Sequence, residues 1–172
     1  EFQLQKIRKD LNYKLIRGNV DTRIKKLKDG EYDAIILSYA GIKFLNFDNE
    51  ISEIFSPEQV IPSAGQGIIS LQCREGDEEV ISVLKKINHN ETFMRAQVER
   101  NILKVLEGDC ETAIGAHSII QGDEITVEAE LFSLDGSKRF YEKKTGKVED
   151  FSQIGTEVGQ ILKIKSNNSY KR

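Results

Sequence analysis

The sequence predicts two architectures in succession, an α/β segment and then a small α+β domain, and three observations carry that expectation. Between Tyr13 and Leu45, short β-prone runs alternate with short helical ones, the β-α-β-α order of a parallel sheet. From Asn90 the pattern becomes one amphipathic helix followed by closely spaced alternating runs, an antiparallel meander of three strands. A last apolar stripe, Phe151, Ile154, Val158, Ile161 and Leu162, recurs at helical spacing and suits a helix that covers the sheet.

Taken in order, residues 13–16 read as a strand leading into Arg17-Gly18-Asn19, and a helix follows over 21–28 with Ile24 and Leu27 inward, ended by Asp29-Gly30. Residues 33–38 form a continuous apolar run, as in a strand buried on both faces, and Ala40-Gly41 opens a short helix towards Leu45. Pro57, Pro62, Gly65 and Gly67 mark a segment that crosses between lobes. Residues 68–72 then read as a strand, and 78–87 as a helix with Val80, Ile81 and Leu84 inward.

The helix over 91–106 carries Met94, Val98, Ile102 and Val105/Leu106 on one face, and Gly108 is expected to stop it. Strands are expected at 114–120, 124–133 and 138–144, joined by Gln121-Gly122-Asp123 and Leu134-Asp135-Gly136-Ser137. The last helix should run over 148–164, with 166–172 frayed.

At 172 residues the chain is long enough for one ordinary domain or two small ones. No apolar run approaches the roughly 20 residues of a membrane helix, and no secretory signal opens the chain, so a cytoplasmic protein without membrane contact is expected. Net charge is −3 with lysine and arginine dispersed, which argues against a nucleic-acid footprint; Lys25, Lys26 and Lys28 read as a solvated helix face. Cys73 and Cys110 lack a Cys-x-x-Cys partner or a nearby histidine, so neither a metal site nor a structural disulfide is expected. The first residue is Glu1 and the one methionine is Met94, inside a helix, so the chain reads as processed or as a piece.

Several side chains stand out chemically. Cys110 sits just past a helix, between Asp109 and Glu111, where it is either a packed small hydrophobe or a reachable thiol. Neighbouring negative charge raises a thiol pKa, which disfavours a protease-like or redox thiolate. Arg17 and Arg23 bracket a turn at a helix start, a corner that suits carboxylates, although paired surface arginines can equally be plain ion pairs. Gln66 lies between two glycines that permit close backbone approach. Cys73 reads as core, Phe44 as packing, His89 as a helix-opening residue and His117 as packed in a strand.

The run Leu106-Glu107-Gly108-Asp109-Cys110 resembles the cofactor-attachment loop of the porphobilinogen deaminase (hydroxymethylbilane synthase) family, with Asp109 in place of a second glycine. The likeness continues, in the family's order, through 17–23, 30–37, Ala40-Gly41-Ile42-Lys43, 61–67, Cys73-Arg74, 88–92 and Glu99-Arg100. It implies condensation of four porphobilinogen molecules into hydroxymethylbilane with loss of ammonia. It also implies a dipyrromethane cofactor held by a thioether to Cys110, and Arg17 and Arg23 binding carboxylate side chains of cofactor and growing polypyrrole, with Gln66 lining the cleft. Gly18, Asn19 and Lys43 are further candidates; the residue after Lys43, often arginine in the family, is Phe44 here.

By the same resemblance, residues 1–62 are the remainder of a second, periplasmic-binding-protein-like β-α domain, 63–88 cross back to a first domain, and 89–172 anchor the cofactor. The family's amino-terminal half, with its catalytic aspartate, is expected before Glu1, so this chain alone is expected to be inactive; the resemblance separately implies a monomeric parent enzyme. No catalytic acid is assigned within 1–172. The alternative reading is a non-enzymatic lobe of periplasmic-binding-protein type that binds small anions, for which a covalent pyrrole adduct on Cys110 would have no reason.

Overall fold

The computed structural model describes residues 1–109 and 111–171, which form two compact units, 1–56 and 57–172. The chain is a mixture of helices and strands with a three-stranded antiparallel sheet. Among the described residues, no helix is long and apolar enough to cross a membrane.

The first unit holds α1 (Phe2–Ile7), α2 (Val20–Lys28), α3 (Tyr39–Phe44) and a 3-10 turn at Asp48–Glu50. Ile24, on the inward face of α2, is its buried hydrophobic residue. Lys28 ties α2 to the 3-10 turn through an ion pair with Glu50, and Tyr32 Oη donates to the Leu15 carbonyl at 3.2 Å.

The strands expected at 13–16 and 33–38 do not form, and neither does the one at 68–72 in the second unit. A strand exists only with a neighbour to exchange N–H and C=O bonds, and these runs have no ladder partner among the described residues. Some of their apolar side chains are left in solvent, Leu15 at 77% exposed, Ile36 at 55% and Ile69 at 88%, while Ile16, Ile35, Leu37 and Ile68 are half-buried.

The second unit contains the core. In it α4 (Glu78–Ile87) buries no residue, although Asp77 caps its first turn by accepting from Val80 N–H. α5 (Asn90–Leu106) begins at His89, whose Nδ1 accepts from Thr92 N–H, the helix-opening role read from sequence. β1 (Ile114–Gln121), β2 (Glu124–Phe132) and β3 (Arg139–Lys147) pair in sequence order, and α6 (Phe151–Ser166) closes the domain.

Alternation decides which strand residues face inward. Ile125, Val127, Ala129 and Leu131 of β2 meet Val98, Ile102 and Leu106 of α5 and Ile154, Val158 and Leu162 of α6. Both helices thus lie on one face of the sheet, α5 over β1 and α6 over β2 and β3.

Between the helices the backbones nearly touch. A Cβ on Gly155 would collide with the Val98 carbonyl oxygen, and one on Gly159 would stand 2.8 Å from Val105 Cβ.

Two ends differ from expectation. α5 ends at Leu106 as expected, but Glu107 and not Gly108 takes the left-handed conformation that stops it (φ 54°), and Gly108 N–H donates to the Leu103 carbonyl. Glu107 is held there by Lys171 and Lys163, which keep its carboxyl below the usual range. Tyr170 packs instead of fraying: it is 3% exposed, and its hydroxyl donates to the Leu106 carbonyl at 2.9 Å.

Candidate functional site

The corner at 17–23 is built by one glycine. Gly18 has φ +121°, a conformation that side-chain-bearing residues rarely adopt, and an added Cβ there would press on Thr22 at 3.0 Å. Asn19 then starts α2 without a side-chain cap. Arg23 folds back across the turn, its Nε donating to the Gly18 carbonyl at 2.7 Å, while Lys26 Nζ reaches the Arg17 carbonyl at 3.4 Å.

The consequence is a pair of cations with donors to spare. Neither Arg17 nor Arg23 pairs with a carboxylate among the described residues, so the surface ion pairs that could have explained them are not made. With its Nε committed, Arg23 keeps two terminal amino groups on a rigidly placed guanidinium. Arg17 is exposed. A guanidinium fork of this kind grips a planar carboxylate through two charge-assisted bonds.

α3 adjoins the same helix start, since a Cβ on Gly41 would contact Val20 at 3.6 Å. Lys43 is exposed in the last turn of α3, with its Nζ 5.9 Å from the Tyr39 ring centroid. Phe44, expected to pack, is 85% exposed.

In the second unit, Gln66 is exposed at the tip of a turn whose glycines Gly65 and Gly67 both have positive φ. Gln66 N–H donates to the Ser63 carbonyl and Ile68 N–H to that of Gly65. The turn is held at its base: Ala116 N–H donates to the Pro62 carbonyl at 2.8 Å, and Gly65 N–H donates to Glu99 Oε2 at 2.8 Å.

Cys110 lies outside the described residues; the loop on either side of it is defined. Asp109 Oδ1 accepts from Glu111 N–H at 2.8 Å and from the N–H and hydroxyl of Thr112 at 3.1 and 3.2 Å. These donors, that of Glu111 foremost, hold the Asp109 carboxyl below its ordinary range. Asp109 is absent from the non-glycine residues with positive φ, so the departure from glycine costs no backbone strain. Asp109 is thereby engaged within its own loop. Cys73, expected in a buried strand, is instead half-buried in an irregular segment.

One residue that motif reading passed over is Glu99, quoted only as part of a dipeptide. Its signal was a carboxylate directly beside Val98 on the buried face of α5, where it is 4% exposed.

Two family models match the chain. Residues 1–82 match the one described as porphobilinogen deaminase, dipyromethane cofactor binding domain, and 93–163 the one described as porphobilinogen deaminase, C-terminal domain. Among curated proteins, the chain is 39% identical over 170 residues to the porphobilinogen deaminase of Coxiella burnetii (strain Dugway 5J108-111), covering 99% of this chain and 55% of that protein. It is likewise 39% identical over 160 residues to the porphobilinogen deaminase of Trichlorobacter lovleyi, covering 93% of this chain and 51% of that protein. The chain spans about half the length of the curated relatives it matches.

Proposed function

Because the chain belongs to the porphobilinogen deaminase family, we propose that it is part of a hydroxymethylbilane synthase. That transferase condenses four porphobilinogen molecules into hydroxymethylbilane, releasing ammonia, for tetrapyrrole synthesis. The observation that carries the site reading is that the guanidiniums of Arg17 and Arg23, at a helix start, have no carboxylate partner among the described residues, Arg23 committing only its Nε, to the Gly18 carbonyl. Such donors fit a dipyrromethane, whose acetate and propionate groups are anionic at neutral pH. When bound, that group supplies a permanent two-pyrrole primer on which condensation begins.

The chain's own residues have separable tasks in this reading. Arg17 and Arg23 bind and orient carboxylates, with Lys43 adding positive charge near the start of α2. Gln66 offers an amide donor and acceptor from the tip of its turn. Cys110 holds the cofactor covalently through its sulfur. No residue of 1–172 is assigned the proton transfers that accompany ammonia loss.

The domain reading follows. Residues 1–62 are the remainder of a periplasmic-binding-protein-like β-α domain, 63–88 a crossing segment and 89–172 the cofactor-anchoring domain. The unpaired apolar runs at 13–16, 33–38 and 68–72 are strands whose ladders are completed in the whole polypeptide. The half-exposed face of α4, with Val80 and Val83, is covered there too.

The decisive experiment is intact-mass analysis of the full-length enzyme made in a porphobilinogen-producing host. Cys110→Ser should lack the two-pyrrole increment and Cys73→Ser should keep it. A dipyrromethane mapped to Cys73, or to no cysteine, overturns the reading.

A further inference from the structure

Glu99 is a carboxylate 4% exposed that, among the described residues, accepts three hydrogen bonds, none of them from a cation. Oε1 accepts from Ser118 N–H at 2.9 Å and from Ser118 Oγ at 2.8 Å, while Oε2 accepts from Gly65 N–H at 2.8 Å. Taking a carboxylate out of water is costly, and such groups are often replaceable by apolar residues without loss of stability. A carboxyl group buried here therefore calls for a positional reason.

The geometry supplies one. One oxygen is committed to β1 and the other to the turn that presents Gln66, so α5 fixes the turn relative to the sheet. Ile61 is buried, Ala64 packs on the core and the Pro62 carbonyl is bonded to β1, so the chain leading into the turn is already seated. Past Ala64, Gly65 and Gly67 both have positive φ, a flexible frame for the residue between them. Of the bonds holding Gly65, the one to Glu99 comes from a side chain outside the turn.

We propose that Glu99 is a positioning residue, holding the Gly65-Gln66-Gly67 turn so that the Gln66 side chain meets the pyrrole substrate in one orientation. The proposal rests on the reading of Gln66 as a cleft residue. An amide at position 99 cannot replace the carboxylate, because its NH2 would face either the Gly65 N–H or the Ser118 N–H, donor against donor.

The test uses the full-length holoenzyme, its two-pyrrole mass confirmed first, so that failure of the cofactor assignment is seen separately. Glu99→Gln should speed amide exchange across 62–68 and lower kcat/KM for porphobilinogen about tenfold, mainly through KM, the size expected from one lost buried hydrogen bond. Ile102→Val, which loosens the same core, should lower Tm without either effect. Gln66→Ala should lower kcat/KM alone, and the double variant should fall no further than the worse single, because Glu99 acts through Gln66.

Unchanged exchange at 62–68 in Glu99→Gln, or fully additive kinetic losses, overturns the proposal. Gln66→Ala with normal kinetics overturns it as well, together with the cleft reading of Gln66, while leaving the Cys110 assignment standing. If Glu99→Gln does not fold, Glu99→Asp, too short by one methylene to reach both partners, is measured against the same criteria.

Discussion

Arg23 divides its guanidinium between two tasks, and that division sets what its loss should do. The Nε bond to the Gly18 carbonyl shapes the turn, while the terminal amino groups, in the proposed reading, serve a ligand. Arg17 makes no such structural bond from its side chain among the described residues, so its removal tests ligand binding more cleanly. In the full-length enzyme, Arg17→Leu and Arg23→Leu should each weaken cofactor assembly or chain elongation by roughly 1.5–3 kcal/mol, the worth of a charge-assisted bond in a closed site. Lys26→Leu should cost at most ~1 kcal/mol, because the half-buried lysine gives up one long bond to the Arg17 carbonyl and no ion pair. Arg23→Leu should in addition lower Tm more than Arg17→Leu. Rates of intermediate accumulation by mass spectrometry give the first comparison and thermal scans the second; equal activity in all three variants removes the carboxylate clamp.

At the scale of elements, the α5–α6 seam depends on two absent side chains. Gly155 and Gly159 let the helices approach until backbone meets backbone, and no rotamer change can relieve a Cβ that collides with a carbonyl oxygen. Gly155→Ala is therefore expected to destabilise the second unit by about 1–3 kcal/mol despite the higher helix propensity of alanine; a stabilised variant in denaturant titration would contradict the packing described. Neither glycine was legible as a contact, since a glycine inside a helical pattern reads only as a weak position. The meander was legible because each strand pairs with its sequence neighbour, so alternation and turn residues contain the whole answer. The runs at 13–16, 33–38 and 68–72 carry an equally apolar pattern, yet a parallel strand takes its partners from remote sequence, and local pattern cannot say whether they are present. The arginine corner was readable because Gly18 and the helix start are local, whereas the tie from Glu99 to Gly65 spans 34 residues and appears only once α5 is packed.

For the whole molecule, the uneven distribution of core is the dominant fact. Nearly all the buried apolar residues belong to 57–172, while the first unit presents Leu15, Ile36, Phe44 and Ile54 to solvent. Residues 1–172 alone should give no measurable conversion of porphobilinogen, because nothing in them is assigned the acid-base role and the chain spans about half of its relatives. Turnover by the purified chain, free of host enzyme, would refute that. The contacts of residues 170 and 171 have a different bearing. Tyr170 and Lys171 grip the end of α5 at the Leu106 carbonyl and the Glu107 carboxylate, only a few residues before Cys110. Shortening the side chains at 170 and 171 would thus free the last turn of α5 and slacken the loop that leaves it, so a lesion distant in sequence would be felt at Gly108 and Asp109.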